Sequence, residues 1–192
     1  FPDWLLGRHL GLQLDDSERG QLSGVFDRLV VAALEQPRVF VHRDYHSRNL
    51  MVCAGSNPGV LDFQDAVHGP LTYDLVSLLR DCYVEWPQQL VTSWALDFRR
   101  SASAAGLATG ADEAQFLRWF DLMGVQRHLK ASGIFARLWH RDGKPGYLSD
   151  VPRTLTYIEQ SCARHADLAA LGDLVRNRVL PAMRASLAAS PA

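Results

Sequence analysis

The residues whose types and spacing could do chemistry lie in two acidic loops. The first loop covers residues 42–49, with sequence HRDYHSRN, and the second covers residues 62–65, with sequence DFQD. A solitary aspartate in a loop is usually a turn former. Here the carboxylate of Asp44 is followed five residues later by the amide of Asn49, and the carboxylate of Asp62 follows two short apolar segments. This order of groups indicates one site rather than separate turns.

Phosphoryl transfer from a nucleotide requires this combination of groups. The transferred phosphoryl needs positioning and neutralisation of its charge rather than covalent help from the protein. Mg²⁺ prefers oxygen ligands and keeps several waters, so a carboxylate and an amide oxygen suffice beside the phosphates. A separate carboxylate must accept the proton of the acceptor hydroxyl. The spacing therefore predicts Asp44 as the catalytic base, Asn49 as a ligand of Mg²⁺ and Asp62 as its principal ligand, beside the phosphates of a nucleotide co-substrate.

The loop sequences also resemble a known family. HRDYHSRN resembles the catalytic loop of the protein-kinase-like superfamily, and its D-x-H-x-x-N form is similar to that of the aminoglycoside phosphotransferase branch. LDFQD is similar to the metal-binding segment of that branch, and PLTYDL resembles the start of its next helix. The resemblance implies that Asp74, in PLTYDL, braces the catalytic loop. We expect His42 and His46 to support the same loop by hydrogen bonds.

Longer stretches of the chain resemble sugar kinases of cell-wall recycling within this family. Among them are FPDWLLGRHLGL and PGVLDFQDAVHGPLTYDLVSLLRD. The resemblance implies transfer of the γ-phosphoryl of ATP to the anomeric hydroxyl of N-acetylmuramate or N-acetylglucosamine in the cytoplasm. Other acceptors of the family, namely an aminoglycoside, choline or homoserine, stay open. A non-catalytic, pseudokinase-like binding module would be expected to have lost Asp44 or Asp62, and both are present, which disfavours it. A two-metal phosphohydrolase would require a denser cluster of metal ligands than these loops contain.

Basic residues in the later part of the chain are candidates for acceptor recognition. The best cluster contains Arg127, His128 and Lys130, because a cation would suit a carboxylated sugar. The alternative is that these residues form a solvated helix face. Asp65 is ambiguous between support of its loop and a contact to the sugar. Four further basic residues could serve equally well: Arg137, His140, Arg141 and Lys144.

The elements that must position these residues follow from hydrophobic periodicity. Residues 16–35 predict a helix with Leu22, Val25, Phe26, Leu29, Val30, Ala33 and Leu34 on one face and a cap at Asp16 or Ser17. Short β-branched segments predict strands at 38–41, 50–53 and 59–61, the last two forming a hairpin. Helices are predicted at 73–83, 87–105, 112–138, 151–164 and 168–187. The predicted fold is α+β and mostly helical, the carboxy-terminal lobe of the kinase-like architecture, with the hairpin between the two loops.

Composition narrows the possible partners. The net charge is −1 and the pI about 6.7, so neither nucleic acid nor a membrane surface is an expected partner. Cys53, Cys82 and Cys162 form no CxxC pair, which favours reduced thiols over a zinc site. The first lysine is Lys130, and the residues before His42 have a helical pattern. We therefore predict that 1–192 is a single lobe, with its acceptor-binding helices within 73–187, and that its partner is its own amino-terminal nucleotide lobe.

Overall fold

Seven α-helices and two pairs of short strands make up residues 1–189, the part of the chain that this computed structural model describes. The helices are α1 (Asp16–Leu34), α2 (Tyr73–Leu79), α3 (Gln88–Ala104), α4 (Glu113–Asp142), α5 (Val151–Cys162), α6 (Ala169–Leu174) and α7 (Leu180–Ala189). Within these residues no helix is both long enough and apolar enough to cross a lipid bilayer. The predicted α+β, mostly helical fold is confirmed.

Helix α1 begins with a reciprocal cap. The backbone N–H of Glu18 donates to Asp15 Oδ1 at 2.8 Å, and the backbone N–H of Asp15 donates to Glu18 Oε2 at 2.9 Å. This pair satisfies two amide groups that the first turn leaves without helical partners. The predicted cap at Asp16 or Ser17 is therefore wrong by one or two residues, because Asp15 is the residue that stands three positions before a glutamate.

The buried stripe of α1 is narrower than its apolar sequence predicts. Its buried apolar residues are Leu22, Val25, Leu29 and Ala32. Val30 is 56% exposed and Leu34 is 78% exposed, so their predicted place on the buried face is wrong. The reason is angular, because Leu34 lies two residues, roughly 200° of helical rotation, beyond Ala32. Val30 and Leu34 therefore continue the apolar sequence pattern but lie on the solvent side of the helix.

The strands form two antiparallel pairs. Strand β1 (Arg38–Val41) pairs with β4 (Val67–Pro70), and β2 (Leu50–Met51) pairs with β3 (Gly59–Val60). The predicted hairpin is confirmed, although each of its strands ends earlier than predicted. Strand β4 was not predicted from the sequence, because its residues VHGP include Gly69 and Pro70, which both disfavour strands. Pro70 is tolerated because it is the last residue of a strand in a two-stranded sheet.

The described residues form two compact units, and the division between them falls within α1 and α4. The first unit contains Phe1–Leu29 and the residues from Val125 onward. It begins with a π-helical segment, Pro2–His9, and in its later part α5 packs against α6 and α7. A second π-helical segment, Val175–Val179, links α6 to α7, so the helix predicted at 168–187 is interrupted only by a change of hydrogen-bond pattern.

The second unit, Val30–Gly124, contains both acidic loops. Its core brings residues of α2, α3 and α4 together, and these are Leu71, Val76, Leu79, Val91, Ala95, Phe116, Trp119, Phe120 and Met123. A buried ion pair joins Arg80 Nη2 to Asp121 Oδ1 at 2.6 Å. A Cβ at Gly124 would lie 2.9 Å from Arg80 Nη1, so only glycine leaves room for this guanidinium. Helix α2 ends at Leu79, earlier than predicted, because Arg80 turns out of helical geometry.

Candidate active site

Asp74 in the first turn of α2 holds the start of the loop at 42–49. Its Oδ2 accepts the backbone N–H of His42 at 2.6 Å, and its Oδ1 accepts that of Arg43 at 3.0 Å. The side chain is half-buried. Hydrogen bonds from backbone N–H groups to a carboxylate are among the stronger ones in proteins. The loop therefore leaves β1 in a direction set by a residue on a helix of the same unit.

The ring of His42 connects the two acidic loops. The backbone N–H of Asp44 donates to His42 Nδ1 at 3.3 Å, so the proton of the neutral ring lies on Nε2. His42 Nε2 then donates to the carbonyl oxygen of Leu61 at 2.9 Å. Since Leu61 directly precedes Asp62, this buried ring ties the backbone of the predicted base to the backbone of the predicted metal ligand. Both ring nitrogens of His42 thus bond to backbone atoms, as expected for a residue that orients the loops.

Two residues of these loops have left-handed backbone conformations. The φ of Arg43 is 77° and that of Asp62 is 68°. Each such position costs about 1–3 kcal/mol for a residue other than glycine, and persists only where the surroundings impose it. The surroundings of Arg43 do so, because Asp74 accepts its N–H and its Nη1 donates to the carbonyl oxygen of Asp65 at 3.2 Å. The strain lies next to Asp44 and at Asp62 itself.

Asn49 closes the first loop. Its Nδ2 donates to the carbonyl oxygen of Asp44 at 2.9 Å, and its backbone N–H donates to the carbonyl oxygen of His46 at the same distance. Because the amide nitrogen donates within the loop, the amide oxygen is the atom that can ligate a cation. The N–H of Leu61 donates to the carbonyl oxygen of Asn49 at 3.0 Å, which places the backbone of Asn49 beside the residue that precedes Asp62.

The donor groups present suit Mg²⁺. Asp62 is exposed, and its Oδ1 accepts a hydrogen bond from Gln64 Nε2 at 2.7 Å, which leaves Oδ2 as the oxygen available to a cation. Among residues 1–189 no three His, Cys, Asp or Glu side chains converge as a metal cluster. One carboxylate and one amide oxygen match an ion that completes its shell with water and phosphate oxygens.

Asp81 is, after Asp74, a second carboxylate that braces the loop at 42–49, and it was not predicted from the sequence. It is 1% exposed, its Oδ2 accepts the backbone N–H of Ser47 at 2.8 Å, and its Oδ1 accepts that of Tyr83 at 2.8 Å. Helix α2 thus has a carboxylate in its first turn for the start of the loop and another just beyond its end for the middle of the loop. The available signal was an Arg80-Asp81 pair directly after an apolar helical segment.

Comparison with known proteins decides the family. Residues 1–120 match the family model described as the phosphotransferase enzyme family, which is more than half of the chain. The chain belongs to this family. The chain is 54% identical over 175 residues to N-acetylmuramate/N-acetylglucosamine kinase of Pseudomonas aeruginosa, covering 91% of this chain and 52% of the relative.

Two further relatives carry the same name. The protein of Pseudomonas putida is 53% identical, covering 91% of this chain and 51% of its own length. That of Neisseria meningitidis serogroup B is 48% identical, covering 89% of this chain and 51% of its own length. The chain thus spans about half the length of the curated relatives it matches.

The remaining predicted site residues lie in different units of the chain. In the second unit, the ring of His46 packs edge-on against Tyr83 with centroids 5.4 Å apart, and the side chain of Asp65 is exposed. Arg127, His128 and Lys130 lie on α4 in the first unit.

The basic cluster on α4 differs from a solvated helix face. Arg127 and His128 are buried, and the His128 ring lies 5.0 Å from that of Tyr157. The alternative of a solvated face is therefore wrong for these two residues. Lys130 is exposed. The helical period explains the difference, since Lys130 is two residues from His128 and hence on the far side of the helix.

An apolar hollow of about 490 Å³ adjoins the loop at 42–49 in the second unit. His42, Tyr45 and Asp74 line it, together with apolar side chains of β1, β3 and the second acidic loop. Two of these, Phe40 at 72% exposed and Phe63 at 64% exposed, present their rings to solvent. Exposed aromatic groups beside a reactive loop are typical of a surface that another part of a protein or a ligand covers.

Proposed function

We propose that the protein is a sugar kinase that transfers the γ-phosphoryl of ATP to the anomeric hydroxyl of N-acetylmuramate or N-acetylglucosamine. The observation that carries the proposal is the arrangement of Asp44, Asn49 and Asp62 in two loops that His42 links, the first of which is braced by Asp74. The relatives named for this activity support the choice of acceptor. In this proposal the kinase acts in the cytoplasm, where it recycles sugars of the cell wall.

Each group of the site has a separate task. The carboxylate of Asp44 accepts the proton of the acceptor hydroxyl as its oxygen attacks the γ-phosphorus. Asn49 and Asp62 would hold Mg²⁺, which would supply positive charge to neutralise the phosphate oxygens. The hydrogen bonds that His42 makes to both loops keep the base and the ligands in one arrangement before substrate arrives, so little reorganisation is needed at the moment of transfer.

An amino-terminal nucleotide lobe completes the site in this proposal. The catalytic and metal groups of the chain account for one side of a phosphate cradle, and the lysine that anchors a nucleotide in the family has no counterpart before Lys130. The exposed rings of Phe40 and Phe63 at the apolar hollow support a covering segment at this place. The length of the relatives, about twice that of this chain, supports the same proposal.

The acceptor residues predicted from the sequence stay predictions. Asp65 offers an exposed carboxylate beside Asp62 that could accept hydrogen bonds from sugar hydroxyls. Lys130 is the exposed cation of the α4 cluster, while the buried Arg127 and His128 would need an acceptor that reaches below the surface.

A direct assay of acceptors tests the proposal. The full-length protein is incubated with ATP, Mg²⁺ and one acceptor at a time, and the product is examined by phosphorus NMR for a phosphate on the anomeric oxygen. N-acetylmuramate and N-acetylglucosamine should be phosphorylated, whereas an aminoglycoside, choline and homoserine should not. Phosphorylation of one of these three in preference to both sugars would replace the proposed acceptor and keep the family chemistry. The 192-residue chain by itself should show little turnover.

A further inference from the structure

Arg48, a residue of the loop at 42–49, stacks on an aromatic ring outside that loop. Its Cζ lies 3.5 Å from the centroid of the Tyr83 ring, within the second unit. Arg48 is exposed, whereas Tyr83 is half-buried. A guanidinium stacked in this way gains a cation–π attraction and keeps its N–H groups, which lie in its own plane, free for a planar anion.

One buried carboxylate fixes both halves of this stack. Asp81 accepts the backbone N–H of Ser47, the residue before Arg48, and also the backbone N–H of Tyr83, the residue beneath its guanidinium. The loop backbone and the ring therefore share one anchor that is 1% exposed. Long basic side chains normally lose much rotamer freedom on binding, and an arginine already held in place loses less.

The charge of Arg48 is available to a ligand. Among residues 1–189 no Asp or Glu forms an ion pair with the Arg48 side chain. The residue directly precedes Asn49 and follows Asp44 by four positions. The amide of Asn49 folds back onto the carbonyl oxygen of Asp44, so Arg48 belongs to the same tight turn as the base and the metal ligand. The backbone of Arg48 therefore lies in the turn that carries the predicted base, at which an acceptor hydroxyl has to bind.

We infer that Arg48 binds the carboxylate of an acidic sugar acceptor and so favours N-acetylmuramate over N-acetylglucosamine. This inference rests on the proposed function. N-acetylmuramate carries a lactyl carboxylate on the ether oxygen of C3, where N-acetylglucosamine has a hydroxyl. An arginine fork pairs with a carboxylate through two parallel N–H···O bonds, which a neutral hydroxyl cannot match. Tyr83 is a positioning residue that acts through Arg48, and Asp81 positions both.

The ratio of kcat/KM for the two sugars tests this inference in the full-length protein. Arg48→Gln should lower the N-acetylmuramate to N-acetylglucosamine ratio by roughly 10- to 100-fold, chiefly through KM for N-acetylmuramate. Arg100→Gln is the matched control, because it removes an exposed arginine of α3 that pairs with Asp97 in its own helix. Tyr83→Phe should keep the ratio, while Tyr83→Leu should lower it, since only the leucine removes the aromatic platform.

The outcomes separate this inference from the proposed function. If the wild-type protein phosphorylates both sugars and Arg48→Gln leaves their ratio within twofold, the inference is overturned and the proposed function stands. A selective loss in Lys130→Gln with none in Arg48→Gln overturns it in favour of the α4 cluster. A wild-type protein that phosphorylates neither sugar overturns both. Arg48→Lys keeps the positive charge but lacks the planar guanidinium. It should lower the N-acetylmuramate to N-acetylglucosamine ratio of kcat/KM severalfold.

Discussion

The carboxylate of Asp74 accepts the backbone N–H of His42 at 2.6 Å. The same carboxylate accepts the N–H of Arg43, whose φ of 77° lies in the left-handed region. A helix residue thereby sets the direction in which the chain leaves β1 and stabilises a strained backbone next to the predicted base. Such a contact should link stability and activity, because the loop that carries the predicted base is also the loop under strain.

Asp74→Ala should lower both stability and turnover. Removal of the carboxylate leaves two backbone N–H groups without their acceptor, which should cost about 1–3 kcal/mol in the free energy of unfolding. The measurement is urea unfolding of the full-length protein beside the kinase assay. The control is Asp97→Ala, which removes an exposed carboxylate of α3. A loss for Asp74→Ala no larger than for this control would show that the brace contributes nothing.

The buried ion pair between Arg80 and Asp121 should behave unlike the exposed pairs. Asp121→Ala leaves the Arg80 guanidinium buried without its carboxylate, and breaking a buried pair in this way costs about 3–5 kcal/mol. Loss of the exposed Arg100–Asp97 pair should cost less than about 1 kcal/mol. Urea unfolding of Asp121→Ala and Asp97→Ala compares them directly. Equal midpoints for the two variants would contradict the assignment of Arg80–Asp121 as a buried structural pair.

Some of this site could be predicted from residue order, and some could not. The helices and the hairpin follow from apolar period, and the groups that could do chemistry follow from carboxylates and an amide at fixed spacing. Strand β4 could not be predicted, because Val67–Pro70 forms only through long-range pairing with β1. The role of Asp81 could not be predicted for the same reason, since its partner Ser47 lies 34 residues earlier in the chain.

The solvent exposure of some side chains could not be predicted from the sequence either. Leu34 continues the apolar pattern of α1, yet most of its side chain meets solvent. His128 looks like part of a basic surface cluster, yet its ring is completely buried beside Tyr157. Periodicity tells which residues share a face, but which face is covered depends on elements that pack there later in the chain.

Stability should depend on pH through a histidine pair in the first unit. His9 Nδ1 and His140 Nε2 lie 3.1 Å apart, in hydrogen-bond contact. Burial, followed by the charge of His140, lowers the pKa of His9. Burial, followed by the charge of Arg8, lowers the pKa of His140. The folded state therefore binds fewer protons than the unfolded state once the pH falls through the ordinary value near 6.5.

The free energy of unfolding should thus be fully retained above pH 6.5 and should decline as the pH falls below it. Urea midpoints measured between pH 8 and pH 5 check this. His9→Gln and His140→Gln should each flatten the decline, whereas His68→Gln, which removes an exposed histidine of β4, should leave its slope unchanged. A slope that is the same in all four proteins would refute the role of this pair.

Asp62→Asn should impair nucleotide binding that depends on metal. The substitution removes the negative charge that holds Mg²⁺ against the phosphates, while the amide keeps the shape of the side chain. Calorimetric titration of the full-length protein with ATP in the presence and absence of Mg²⁺ measures the effect, which we expect to be at least about tenfold in Kd. Asp65→Asn, which removes the exposed carboxylate three positions after Asp62, serves as the matched control and should leave the Kd within about twofold. Equal Kd values for Asp62→Asn and the wild type would remove Asp62 from the metal site.

The central claim is that Asp44 is the base for transfer of a phosphoryl group to a sugar hydroxyl. Its most direct test is turnover of N-acetylmuramate by full-length Asp44→Asn, measured beside its affinity for Mg²⁺–ATP. The account predicts a turnover about 10²–10⁴-fold below that of the wild type, because the proton acceptor is lost, with nucleotide affinity nearly unchanged. Wild-type turnover in Asp44→Asn, or loss of nucleotide binding with the turnover at saturating ATP preserved, would contradict it.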